Sequence, residues 1–278
     1  MGDKRTAIVT GASRGVGRGI AIGLGEAGYT VYITARTLDN HKQAEGLTGS
    51  LLETAEMIKE VGGKAIPIQC DHRNDIEVKN LFETVKSKEE YLDILVNSAW
   101  AGYENVYSPE NFTWFNKFWE QPISTWNAMF EVGLRSSFVA SQHAARIMIK
   151  QQRGLIVNIS FWAAKCYMGN VPYGVNKCAM DRMTKDMAHE LKEYNVSVVS
   201  LYPGLVRTER VMRGKEFLDL SNSESEQFSG RAVAALANDQ NIINRSGSVQ
   251  ISAQLSKEFG FTDIDGAKPK PITLESIR

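Results

Sequence analysis

Cysteine is scarce. Three residues, Cys70, Cys166 and Cys178, are spread over a chain of 278. So few, and an odd number, exclude a disulfide framework and suit a reducing compartment. Long apolar runs are missing too: none approaches the roughly 18 residues that a membrane span requires. Met1-Gly2-Asp3-Lys4-Arg5 runs directly into a strand pattern with no secretory leader. A cytoplasmic protein is the expectation. No charge of one sign is in excess, with 32 Lys+Arg against 32 Asp+Glu, which argues against a partner bound through a phosphate backbone. His41, His72, His143 and His189 show no metal-ligand spacing, so no metal is expected.

What the chain does have is alternation. Short β-branched runs at Thr6–Thr10, Thr30–Thr34, Ala65–Gln69, Asp93–Asn97, Leu155–Ser160, Ser197–Pro203 and Ser248–Ser252 read as strands. Several are almost wholly apolar, as strands covered on both faces must be. Helical patterns fall between and after them, at Gly15–Ala27, Leu51–Val61, Ile76–Glu89, Ser124–Lys150, Tyr173–Tyr194 and Gly230–Ala237. The expected fold is α/β: a doubly wound parallel sheet of about seven strands with helices on both faces. No repeat or linker divides residues 1–278, so one domain is expected. Two stretches interrupt the alternation. Residues 100–130 are rich in aromatics and hold four of the five Trp, and residues 259–278 read as a polar tail. The aromatic stretch follows the fourth strand, on the ligand side of such a sheet. It is expected to contribute to a wall for an apolar or ring-bearing substrate.

The first strand runs into Thr10-Gly11-Ala12-Ser13-Arg14-Gly15-Val16-Gly17. Glycines here permit a tight turn and close backbone approach to a pyrophosphate, and the helix that follows offers free N–H groups to the anion. Gly11, Ser13, Arg14, Gly15, Val16 and Gly17 are therefore candidate cofactor contacts. The second strand ends Ile33-Thr34-Ala35-Arg36, without the acid that would hold a ribose 2′-hydroxyl. Arg36, with Arg14, is placed to grip a 2′-phosphate instead.

The turn pattern T-G-x-x-x-G-x-G resembles that of the short-chain dehydrogenase/reductase family, and the resemblance extends along nearly the whole chain. Asp71 matches the family's adenine-contacting Asp. Asn97-Ser98-Ala99 matches N-N-A imperfectly, Tyr173-Gly174-Val175-Asn176-Lys177 matches Y-x-x-x-K, and Pro203-Gly204-Leu205-Val206-Arg207-Thr208 matches P-G-x-x-x-T. The resemblance implies a Rossmann-type fold and an NADP(H)-dependent oxidoreductase acting on a carbonyl or secondary alcohol. It implies cofactor contacts at Asp71, Asn97, Tyr173, Lys177, Pro203, Gly204, Val206 and Thr208. It also implies a homodimer or homotetramer formed through the helices at Ser124–Lys150 and Tyr173–Tyr194.

Tyr173 and Lys177 are four residues apart on a helix and share a face. A nearby ammonium would bring a phenol, with its ordinary pKa near ~10, closer to useful acid/base strength. By resemblance, Tyr173 gives a proton to the substrate oxygen and Lys177 holds the nicotinamide ribose. The family also places a Ser at the end of the fifth strand. Here the chain reads Asn158-Ile159-Ser160-Phe161. Aligned by strand, Phe161 takes the catalytic position; aligned by its thirteen-residue separation from Tyr173, Ser160 takes it. No other hydroxyl is near, so Ser160 is the candidate, with its side chain expected to point at Tyr173. A second departure is Val132-Gly133-Leu134, where many members carry a relay Asn. Cys166 and Cys178 read as packing residues, and His72 as either an adenine contact or ordinary loop polarity. The departures at Ser98, Gly133 and Phe161 leave a second reading open, a non-catalytic NADP-binding module acting through protein partners.

Overall fold

The computed structural model describes residues 5–39, 47–103, 106–108 and 111–277; His41, the N-terminal tetrapeptide and Arg278 lie outside them. Seven strands form one parallel sheet: β1 (Thr6–Thr10), β2 (Thr30–Ala35), β3 (Lys64–Gln69), β4 (Ile94–Asn97), β5 (Gly154–Ile159), β6 (Val196–Tyr202) and β7 (Val249–Ile251). Their spatial order is 3-2-1-4-5-6-7. Each expected strand is present to within one residue at either end. β1, β2, β4 and β6 are buried throughout, which is why their sequences show no polar alternation.

The helices are α1 (Gly15–Glu26), α2 (Leu51–Glu60), α3 (Asp75–Lys88), α4 (Ile123–Ala128), α5 (Ser136–Gln151), α6 (Val171–Leu191), α7 (Glu209–Arg213), α8 (Glu226–Asn238), α9 (Ser252–Phe259) and α10 (Leu274–Ile277). α1, α2 and α8 cover one face of the sheet, and α3, α5 and α6 the other, giving two apolar cores back to back. α1 and α8 approach so closely that a Cβ at Gly23 would lie 2.7 Å from the backbone of Gly230. α4 continues into α5 through a π-helical turn at Met129–Arg135, centred near Gly133. Such turns inside α-helices frequently occur at functional sites.

The expected polar tail is anchored. Asp263 is 1% exposed and accepts hydrogen bonds from Ser225 N (2.7 Å) and the Ser225 hydroxyl, with Arg207 also at 3.4 Å. Ser225 caps α8, so the helix begins at Glu226, four residues before the expected Gly230.

The strand order reverses between β2-β1 and β4-β5, so the crevice opens beyond the carboxyl ends of β1 and β4. Thr10 pins that point: its hydroxyl donates to Val96 O (3.3 Å) and accepts from Ser98 N (3.0 Å) and Ala99 N (3.1 Å).

Candidate active site

The glycine turn is shaped by contact distances as well as by torsion. Gly11 has φ +69°, and a Cβ there would lie 2.7 Å from Ala99 Cα. A Cβ at Gly17 would lie 2.3 Å from Gly11 O. Any side chain at either place would push the turn apart. Ser13 is buried, and the Arg14 side chain makes no capping hydrogen bond to α1. The N-terminal N–H groups of α1 therefore seek an acceptor elsewhere. Gly15 N finds one in Glu209 Oε2 at 3.1 Å, from the start of α7. Arg18 holds the other oxygen of Glu209 at 2.7 Å and Glu226 at 2.8 Å. Burial pushes Glu226 up to about 8 despite the opposing pull of Arg18. A carboxylate oxygen on the first N–H of α1 shows that the turn accepts an anionic oxygen, and so fits a dinucleotide phosphate.

Arg14 reaches toward the end of β2. Its Nη2 donates to Gly49 O (3.0 Å) and lies 3.5 Å from the Thr37 hydroxyl. Arg36, the residue before Thr37, is exposed, and its carbonyl accepts from Gln69 Nε2 at 2.8 Å. The two arginines predicted to act together are thus brought to the same strand end. Asp71 Oδ1 accepts from Arg73 N at 3.0 Å, just beyond β3. His72 is buried, with Nε2 2.7 Å from the Thr34 hydroxyl, and burial lowers it to about 4, so it is neutral. It is an interior group rather than loop polarity.

Asn97 turns its side chain inward. Nδ2 donates to Ser141 Oγ (2.9 Å) and Asn158 Oδ1 (2.8 Å), tying β4, β5 and α5 together beneath the crevice. On the opposite rim, Gly204 N donates to Glu224 Oε2 at 2.9 Å, and a Cβ at Gly204 would lie 2.6 Å from that carboxylate. Val206 is buried, and Thr208 caps α7 by accepting from Val211 N. Pro203 joins β6 to this rim.

Tyr173 sits in the first turn of α6. Asn170 caps that helix through Tyr173 N (2.9 Å), while its Nδ2 donates to Trp114 O and Gln121 Oε1, both at 3.1 Å. One cap therefore fixes Tyr173 and ties the aromatic segment to it. The Tyr173 ring lies 5.1 Å from Trp114 and 5.7 Å from Trp100, centroid to centroid. Burial, then the neighbouring phenol of Tyr103, raises Tyr173 well above the ordinary value, so it is a protonated acid. Lys177 Nζ donates to Ile159 O at 3.0 Å and stands 4.5 Å above the Trp100 ring and 5.8 Å from the Tyr173 ring centre. Burial lowers Lys177 to about 8, partly opposed by Asp181.

The Ser160 hydroxyl is directed at α6, the helix that carries Tyr173, and meets its backbone. Ser160 is 1% exposed and its hydroxyl donates to Lys177 O at 3.3 Å, with Tyr202 also beside it. Successive strand residues face opposite ways, and this one faces the backbone of α6. Cys178, expected in the core, is exposed. At the relay position a Cβ on Gly133 would lie 2.7 Å from the Trp100 ring and 3.3 Å from Asn176 Nδ2. Asn176, given no role from sequence, is fully buried and donates to Met129 O in the π turn at 2.9 Å.

The short chain dehydrogenase family pattern matches residues 5–218. The chain belongs to the short-chain dehydrogenase/reductase family. It is 44% identical to mouse (Mus musculus) dehydrogenase/reductase SDR family member 1 over 95% of this chain and 84% of that protein. The human (Homo sapiens) protein of that name is 42% identical over 93% and 83%. A metagenomic short-chain oxidoreductase solved in complex with NADP superposes with a TM-score of 0.69 at 26% identity, covering 89% of this chain and 95% of that one. Members of this oxidoreductase family bind a nicotinamide cofactor. Among the described residues, no helix is long and apolar enough to cross a membrane. The sequence alone assigns no individual role to Tyr103, Asn176 or Glu209. The last had a readable signal, an acid directly after the P-G-x-x-x-T segment.

Proposed function

We propose that this protein is an NADP(H)-dependent oxidoreductase that interconverts an apolar or ring-bearing carbonyl compound and its alcohol. The observation that carries the reading is the half-buried, protonated Tyr173 beside Lys177, under an aromatic wall and next to an anion-accepting glycine turn. When bound, the reduced nicotinamide supplies the hydride. Tyr173 gives its hydroxyl proton to the carbonyl oxygen, so the oxygen leaves as an alcohol rather than an alkoxide. Lys177 presents an ammonium where the ribose would lie. Gly11, Ser13, Gly15, Val16 and Gly17 hold the phosphates, and Asp71 borders the adenine. The backbone around Asn97 and the Pro203–Thr208 rim, including Gly204 and Val206, border the nicotinamide.

Preference for NADP is supported by the absence of an acid at the end of β2 and by Arg14 and Arg36 converging there. Trp100 and Trp114 against Tyr173 favour an apolar substrate. A homo-oligomer through α5 and α6 is supported by a groove of about 420 Å³ lined by Phe130, Leu134, Phe138 and Met183. The three cysteines are unpaired, as suits a cytoplasmic protein. A panel of aldehydes, ketones and quinones, scored by loss of NADPH absorbance, tests the activity. NADPH binding without turnover of any member would overturn it in favour of a non-catalytic module.

A further inference from the structure

As hydride reaches a carbonyl carbon, negative charge gathers on the oxygen, and a second donor beside the acid lowers that barrier. The two residues at the end of β5 do not supply one. Ser160 is committed to Lys177 O, and Phe161 has no donor. Ser98 lies on the other side of the crevice, where its hydroxyl would be 3.2 Å from a Cβ on Gly17.

Tyr103 is the phenol next to Tyr173. It comes from the segment after β4 and stacks on Trp114 at 5.1 Å and 27°. Tyr173 lies at the same 5.1 Å from that indole. Both also contact Trp100, Tyr103 at 6.4 Å and Tyr173 at 5.7 Å. Two indoles thus hold the two phenols as neighbours. Among the described residues, the Tyr103 hydroxyl makes no hydrogen bond, and neither does that of Tyr173. The Arg210 guanidinium covers the Tyr103 ring at 4.4 Å from its centroid, drawing α7 onto the same cluster.

We infer that Tyr103 is a catalytic residue, the second hydrogen-bond donor to the substrate oxygen, in the role for which the β5 end provides no hydroxyl. This rests on the oxidoreductase reading above. Burial keeps Tyr103 protonated, with Arg210 opposing only in part, so the hydroxyl is able to donate. The electrostatic influence of Tyr103 on Tyr173 agrees with the two groups facing one space. Tyr173 transfers its proton, whereas Tyr103 keeps its own and only donates a hydrogen bond. The reaction therefore balances as before: one hydride to carbon and one proton to oxygen.

The test is Tyr103→Phe, which keeps the ring and its stacking and removes the hydroxyl. Turnover of the best panel substrate should fall on the order of 10–1000-fold, the range for one lost donor, while NADPH affinity by fluorescence titration stays unchanged. Tyr103→Phe/Phe161→Ser should recover part of the rate, because it places a hydroxyl at the strand position. Ser160→Ala should change turnover far less than Tyr103→Phe. An active wild type with an unaffected Tyr103→Phe overturns this assignment alone. A wild type inactive on the whole panel overturns the oxidoreductase reading and this one with it. A readout independent of turnover is NMR of tyrosine labelled at Cζ: the Tyr173 resonance should shift in Tyr103→Phe at neutral pH. A resonance that does not move shows that the hydroxyls are apart and overturns the proposal.

Discussion

On the glycine-turn side of the crevice, contacts run backbone to backbone; on the Tyr173 side, they run ring to ring. Gly11 against Ala99 and Gly17 against Gly11 leave no room for a methyl group. Trp100, Tyr103, Trp114 and Tyr173 touch through ring faces and edges. A backbone cradle has essentially one sequence solution, because only glycine vacates that space. A side-chain wall has many solutions, since volume-conserving exchanges are tolerated. The first side departs from the family pattern at Ser98 alone, and the departures at Gly133 and Phe161 gather on the second.

That contrast breaks most sharply at Tyr173. Tyr173→Phe keeps the wall intact and removes the acid, so turnover should fall at least ~100-fold with NADPH affinity little changed; a near-normal rate by steady-state kinetics refutes the assignment. Gly17→Ala is the matching change on the other side. Its Cβ would meet Gly11 O at 2.3 Å, so overpacking should cost about 1–3 kcal/mol and weaken NADPH binding by ~10-fold or more. Wild-type affinity by calorimetry would show that the turn yields more easily than the contact implies. Arg36→Ala should erode the preference for NADPH over NADH by up to ~10-fold, about 1.4 kcal/mol, read from paired titrations.

The smallest effect expected is on stability. Burial raises Glu224 to about 7 and Glu226 to about 8. In the unfolded chain both carboxyls titrate near their usual ~4.3. The folded state thus binds the extra protons, and the stability this gives is complete below the unfolded value and lost as pH rises through 7 and 8. Melting temperature should decline by a few °C over that interval, on the scale of about 2–4 °C per kcal/mol for large domains. Glu226→Gln should flatten the decline, and an unchanged slope would mean that Arg18 keeps the carboxylate charged throughout.

The sheet was legible because burial on both faces leaves unbroken apolar runs such as Ala7-Ile8-Val9 and Val198-Val199. The turn was legible because glycine is the only residue that satisfies it. Legibility failed where facing decides. Ser160 and Phe161 are adjacent in sequence, and only the strand's pleat determines which one looks toward the crevice. It failed again where an element far along the chain returns, as Glu209 does to Gly15 across 194 positions. Tyr103 was visible as one aromatic among many, but its place against Trp114 depends on how residues 100–114 fold back, and composition does not encode that path.

The Trp100 ring occupies the volume above Gly133, where a methyl group would already sit 2.7 Å away. The two positions therefore share one volume. A side chain placed at position 133 must displace the indole, and with it the edge that Trp100 presents to Tyr173 and the ring face beneath Lys177 Nζ. Gly133→Asn alone should therefore harm the protein more than the same change made together with a smaller residue at position 100.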